Sequence, residues 1–173
     1  MVNKNKSKGN SFERETCNLL GKYLGGNWER VPNSGAITGA SNSFRKERLS
    51  AEQELLTRGD LIPPSEFEIA VECKAYKDFL FHGLLTDNKT LDKWLGQNEH
   101  DVETSNMESH RHCIIFKINR KGIYIVVPFD NDYLTEDINY TVYNRNNVKY
   151  LVFEFHQFFQ SYKDIFKSKI ERK

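Results

Sequence analysis

Phe67-Glu68-Ile69-Ala70-Val71-Glu72-Cys73-Lys74-Ala75-Tyr76 is the stretch on which the fold turns. Its apolar and β-favouring residues, preceded by the Pro63-Pro64 break, predict a strand from Phe67 to Tyr76. Alternate side chains of a strand point to opposite faces, so Glu72 and Lys74 share one face while Val71, Cys73 and Ala75 share the other. A carboxylate and an ammonium side by side in an otherwise apolar strand are costly unless something compensates them. A metal ion on the carboxylate and an anion beside the ammonium would do so. The plain alternative is a strand with one solvated face that carries an i,i+2 ion pair.

Working outward, Asp60 precedes Glu72 by twelve residues and sits at a Gly59-Asp60 turn. A hairpin of that length would bring Asp60 alongside Glu72. Two carboxylates and a backbone carbonyl make an all-oxygen site suited to Mg²⁺, with Mn²⁺ as a substitute. Water on such a metal is acidified, and a neighbouring lysine can orient it or help deprotonate it. Metal and lysine together neutralise charge that develops on a phosphodiester. The spacing Asp-x11-Glu-x-Lys is the nuclease pattern written PD-(D/E)xK, with Gly59 in the position of the proline.

On the N-terminal side, Phe12, Leu19, Leu20 and Tyr23 predict an amphipathic helix over Ser11–Leu24, with Ser11 as N-cap and Gly25-Gly26 as the stop. Trp28–Pro32 reads as a short strand, Asn33–Asn42 as a loop, and Ser50-Ala-Glu-Gln53 as a capping box opening a short helix to about Thr57. On the C-terminal side, Thr90 to about Ser105 reads as a mostly polar helix anchored by Leu91, Trp94 and Leu95. His112–Ile118 and Ile123–Pro128 read as strands of one hairpin, closed by Asn119-Arg-Lys-Gly122. Asp130–Asn147 reads as irregular, Val148–Phe155 as a strand, and His156–Ile170 as a last helix. The order of elements predicts an α/β domain with a central mixed sheet flanked by helices.

The length of 173 residues suits one domain with an appendage, and the 38% hydrophobic and 13% aromatic content excludes a disordered chain. No apolar run is long enough for a bilayer, and no apolar core follows the N-terminal lysines as in a signal peptide. Three widely spaced cysteines, Cys17, Cys73 and Cys113, read as reduced thiols of a cytoplasmic protein. The net charge of +1 argues at first sight against nucleic acid. It conceals +5 over residues 1–50, −7 over 51–159 and +3 over 160–173. Lys4, Lys6 and Lys8 form a basic arm over residues 1–10 that either attracts phosphates or merely solvates the terminus.

Four ordered blocks carry a resemblance: Lys8-Gly9-Asn-Ser-Phe-Glu13-Arg14-Glu15, Arg30-Val-Pro-Asn-Ser34-Gly35, Gly59-Asp60 and Glu72-Cys-Lys74. Together they resemble the archaeal-type Holliday junction resolvases of the PD-(D/E)xK superfamily, over roughly residues 4–128. The resemblance implies a restriction-endonuclease-like core over residues 11–128, with an insertion at 36–58. It implies Asp60 and Glu72 as metal ligands, Glu13 as a further acid arranging the metal, Lys74 as the catalytic lysine and Ser34 in the loop approaching the scissile phosphate. It also implies a Mg²⁺-dependent homodimer that nicks four-way DNA junctions. Lys4, Lys6, Lys8, Arg14, Arg30, Arg45, Lys46 and Arg48 are the candidate phosphate contacts. Restriction, flap or repair nucleases of the same fold, and a non-catalytic DNA-structure-binding module, are the other readings. High Asn and Lys content suits a phage or an AT-rich bacterium.

Four features stay open at this point. Residues 37–58 are either a flap that closes on DNA, with Phe44 as a wedge, or a solvated insertion. Gln97 either points at the metal or is an exposed polar residue. The aromatic stripe of the last helix, within the extension 129–173, packs on the core or forms a dimer contact. His110-Arg-His112-Cys113 lacks a second cluster to complete a metal site and reads as structural.

Overall fold

The computed structural model describes residues 4–31, 59–104, 107–108, 111–135 and 137–172. Helix α1 spans Lys4–Leu24, followed by β1 (Glu29–Arg30), β2 (Leu61–Ile62) and β3 (Ala70–Tyr76). Helix α2 spans Lys89–Thr104 and leads to β4 (His112–Ile118), β5 (Gly122–Pro128), β6 (Tyr140–Arg145), β7 (Val148–Glu154) and α3 (Phe155–Ile170). Five of these strands form one sheet in the order β3-β4-β5-β7-β6, with β3 parallel to β4 and the other pairs antiparallel. A parallel pair needs a crossover connection, and α2 lies within the one between β3 and β4.

Both faces of the sheet are covered by helices. Phe12 and Leu20 of α1 and Phe158 and Phe159 of α3 pack with Val71, Ile115 and Ile125 on one face. Leu91, Trp94 and Leu95 of α2 pack with Ile114, Phe116 and Val126 on the other. This α/β architecture, a mixed sheet between helices, is restriction-endonuclease-like. Among the described residues, no helix is long and apolar enough to cross a membrane.

Strands β4, β5 and β7 and the last two helices lie within one residue of their sequence-based bounds. Strand β3 begins at Ala70, three residues after Phe67, and ends at Tyr76 as expected. Three further elements differ. Helix α1 begins at Lys4, seven residues before Ser11. A helix turn needs no apolar stripe to continue, so the start of the stripe at Phe12 did not mark the start of the helix. The first strand shrinks to Glu29–Arg30. Strand β6 lies inside the supposedly irregular stretch 130–147, because its half-exposed residues Tyr-Thr-Val-Tyr-Asn-Arg alternate only weakly. Asn146 and Asn147 have φ of 50° and 67° and close the β6–β7 hairpin, the left-handed pair that asparagine tolerates in such turns.

The aromatic stripe of α3 turns inward. Phe155, Phe158, Phe159, Tyr162, Phe166 and Ile170 are all buried within the single chain. Their rings meet one another and Phe153 of β7 at centroid distances of 4.8–5.9 Å, the spacing of favourable aromatic pairs. Packing against the core buries this stripe within the chain.

Candidate active site

Strand β3 is the edge of the five-stranded sheet, and the Gly59-Asp60 corner lies against it. Gly59 bridges Val71 in the parallel sense, the Asp60 amide donates to the Val71 carbonyl at 2.8 Å, and the Cys73 amide donates to Asp60 Oδ2 at 2.8 Å. Asp60 is thus held beside Glu72, though not by the hairpin that the spacing suggested. Strand β2, which follows Asp60, pairs with β1 instead, and the chain then loops through Pro63-Pro64 to re-enter β3 in the same direction.

The corner explains why glycine stands where the motif has proline. Gly59 has φ of +72°, and a Cβ there would lie 2.5 Å from the Val71 carbonyl oxygen. Proline fixes φ near −65° and cannot adopt this conformation. Restoring the motif by Gly59→Pro, or placing a methyl by Gly59→Ala, is expected to lower the melting temperature and abolish cleavage. Thermal denaturation together with a cleavage assay measures both effects.

Glu72 is 3% exposed, on the face of β3 that looks towards α2. Lys74, two residues on and on the same face, donates from Nζ to Glu72 Oε1. Burial, and then the Asp60 carboxylate, push the Glu72 carboxyl up from 4.5 to about 7, against the opposing pull of Lys74. Burial by itself would lower the Lys74 ammonium, but the Glu72 carboxylate outweighs it and holds the group above its ordinary value. The pair is therefore short of positive charge: two acids face one lysine in a poorly solvated corner.

This donor set fits a divalent cation. Two hard carboxylate oxygen donors act on one another here, one of them raised well out of its usual range by burial and by its acidic neighbour, and Mg²⁺ sites commonly use one or two carboxylates with waters. Among the described residues, no group of three His, Cys, Asp or Glu side chains is arranged to hold a metal.

Glu13 is buried on α1 and is committed elsewhere. Its Oε2 accepts from Arg30 Nε at 2.7 Å, and Arg30 also donates to Asn10 Oδ1 at 3.1 Å. The first two blocks of the N-terminal motif thus meet through an ion pair between α1 and β1. Arg14 is exposed on the outer side of α1, and Glu15 binds Lys117 Nζ of β4 at 2.7 and 2.8 Å. Ser34, Arg45, Lys46, Arg48, Phe44 and the insertion 36–58 lie outside the described residues, as do the side chains of Lys4, Lys6 and Lys8.

Gln97 is exposed on α2. The acid of this helix whose charge acts on Glu72 is Asp101, one turn on, which adds a minor upward push to that carboxyl. Sequence reasoning missed it. The buried positions Leu91, Trp94, Leu95, Asn98 and Val102 define the inner face of α2 and place Asp101 at its border. Asn98 fixes the helix to the sheet by donating to the Cys113 carbonyl at 3.1 Å. His112 and Cys113 are buried in β4 on opposite faces, and His110 lies outside the described residues. The three cysteines are free thiols, and burial raises the Cys17 thiol to about 11.

A family model described as "Phage putative PDDEXK endonuclease" matches residues 4–171. The chain belongs to that family and is a nuclease of the PD-(D/E)xK type, a class that acts on DNA and typically uses divalent metals. No curated protein and no solved structure matches it significantly.

Proposed function

We propose that the protein is a Mg²⁺-dependent endonuclease that acts as a homodimer on four-way DNA junctions, with Asp60, Glu72 and Lys74 as its catalytic residues. The observation that carries the catalytic part is the corner itself: Asp60 held against β3 by the Cys73 amide, beside the buried Glu72–Lys74 pair. Asp60 and Glu72 would hold the divalent ion, which supplies an acidified water and positive charge at the phosphate. Glu72 must be a carboxylate to serve, so its proton has to leave first. Lys74, kept protonated by its acidic neighbours, donates to Glu72 in the resting site and presents positive charge towards an incoming phosphodiester. Glu13 supports the site from α1 through Arg30 and stands as the further acid of the set.

Junction preference rests on the Lys8-Gly9…Glu13-Arg14-Glu15 block, which resembles the archaeal-type resolvases. The Glu13–Arg30 pair, joining that block to the next one in the chain, favours reading the blocks as one unit. Contacts to a four-way junction fall mainly on phosphates, since shape and not sequence defines it. Arg14, exposed on α1, is a natural donor for them, with Lys4, Lys6 and Lys8 preceding it and Arg45, Lys46 and Arg48 in the insertion.

The test compares cleavage of four-way junction, flap and linear duplex DNA of matched length with Mg²⁺ or Mn²⁺. Junctions cut at least tenfold faster than duplex, by symmetric nicks, support the reading. Equal rates on all substrates reduce it to a PD-(D/E)xK nuclease of another kind. Light scattering in solution checks the dimer.

A further inference from the structure

The face of β3 that carries Glu72 and Lys74 has a third member. Side chains two residues apart share a face, so Tyr76 follows Lys74 in the row, about 7 Å further along the strand. Its register partner on β4 is Ile118, and its carbonyl accepts from the Asn119 amide at 3.0 Å, so the backbone here is fixed. The ring is fixed as well. It lies 5.0 Å from the ring of Trp94, which is buried and is itself met by Phe79 and Phe116 at 5.8 and 5.6 Å. Tyr76 is nevertheless 46% exposed, so the side chain is anchored on one side and open to solvent on the rest. Its phenol is near enough to act electrostatically on the Lys74 ammonium.

The Tyr76 hydroxyl is also uncommitted. Tyr143 and Tyr150, on the same side of the sheet, donate theirs to Asp92 and Glu99 of α2. Among the described residues, no hydrogen bond holds that of Tyr76. A side chain that only covered Trp94 would do so equally well as phenylalanine.

We propose that Tyr76 is a DNA-contact residue: its hydroxyl donates to a phosphate oxygen of the cut strand, next to the phosphate that Lys74 meets. The inference rests on the catalytic reading of the Asp60, Glu72 and Lys74 corner for its place on the substrate. Tyrosine hydroxyls are regular phosphate donors, and such contacts set the register of a strand without reading its bases. The spacing of Lys74 and Tyr76 is close to that of neighbouring phosphates on one strand. A ring already held by Trp94 loses little freedom on binding, so little of the contact is offset by ordering.

Fluorescence anisotropy with labelled four-way junction and linear duplex DNA in EDTA reads the contact without cleavage. Tyr76→Phe keeps the ring on Trp94 and is expected to bind both about tenfold more weakly than wild type. The salt dependence should be unchanged, because no cation is lost. Cleavage with Mg²⁺ should show KM raised by about the same factor, with a smaller fall in the rate at saturating DNA. Absence of DNA binding by wild type overturns the inference. So does unaltered binding by Tyr76→Phe, even where Tyr76→Ala binds weakly, since that pattern assigns the ring and not the hydroxyl. An unchanged Kd with a fall in the saturating rate alone would make the tyrosine act through Lys74 and overturns it too. Weaker binding by Tyr76→Phe in a protein whose Lys74→Ala variant cuts like wild type supports the contact and counts against the catalytic reading alone.

Discussion

Lys74→Ala is expected to cut DNA about 10²–10⁴-fold more slowly than wild type while still binding it, the range seen when a positioned proton-transfer or charge-stabilising group is removed. The ammonium sits on the face of β3 that carries Glu72, two residues away, and is its hydrogen-bond donor. Its loss has two consequences. A phosphodiester reaching the corner meets one positive charge fewer as its own charge grows. Glu72, already raised to about 7 with the lysine in place, loses the pull that opposes burial and holds its proton to still higher pH. The alanine variant should therefore recover part of its activity as pH is raised, which loss of substrate binding would not produce. Lys74→Arg keeps the charge but replaces a compact ammonium by a planar fork, so it should retain Glu72's ionisation better than its catalysis. Single-turnover rates from pH 6 to 9, with junction binding measured in parallel, separate these effects. A Lys74→Ala enzyme as fast as wild type would remove the lysine from the mechanism.

Strand β3 was legible because its two signals agree. The β-favouring composition of Phe67–Tyr76 marked the element, of which Ala70–Tyr76 is strand, and period two placed Glu72 and Lys74 on one face. Asp60 was legible by spacing, but not the route by which it arrives. A parallel bridge at Gly59 depends on φ of +72° and on contact with Val71, neither of which a count of residues contains. Asp101 was missed for a related reason. Its relevance comes from how α2 rolls on the sheet, fixed by Asn98 on the Cys113 carbonyl, so the neighbouring Gln97 drew attention by residue type although it faces outward. The aromatic stripe of α3 could be read as amphipathic but not assigned a partner. Its resting place depends on Phe153 and on the β6–β7 hairpin, which itself rested on an Asn146-Asn147 turn hidden in polar sequence. The charge balance was the most misleading quantity. Near-neutrality is the sum of basic ends and an acidic middle, and part of that acidity is the very pair that a cation would satisfy.

Glu72→Gln should remove both the activity and a characteristic pH dependence of the metal-free protein's stability. Glu72 has its carboxyl raised in the folded state, from 4.5 to about 7, so between those values the folded protein holds a proton that the unfolded chain has released. Stability must then fall as pH rises through this window, by up to about 3 kcal/mol, and level off above it. Lys74 stays charged throughout and adds no slope there. The glutamine variant, neutral at every pH, loses this decline, and above pH 7 in EDTA it should be more stable than wild type. Metal reverses the order. A cation competes with the proton for Glu72, so Mg²⁺ or Mn²⁺ should raise the melting temperature of wild type strongly at pH 8 and weakly at pH 6. Saturation a hundredfold above Kd corresponds to about 2.7 kcal/mol. Glu72→Gln and Asp60→Asn should respond little at either pH, and both should fail to cut. Differential scanning calorimetry of the three proteins, with EDTA and with each metal, reads all of this independently of activity. A wild-type profile without decline between pH 4.5 and 7 would contradict the burial argument. A glutamine variant stabilised by Mg²⁺ as much as wild type would move the metal away from β3. The joint result, a carboxylate that destabilises the empty corner and is the one through which metal stabilises it, is what a site selected for binding a cation, and not for packing, must show.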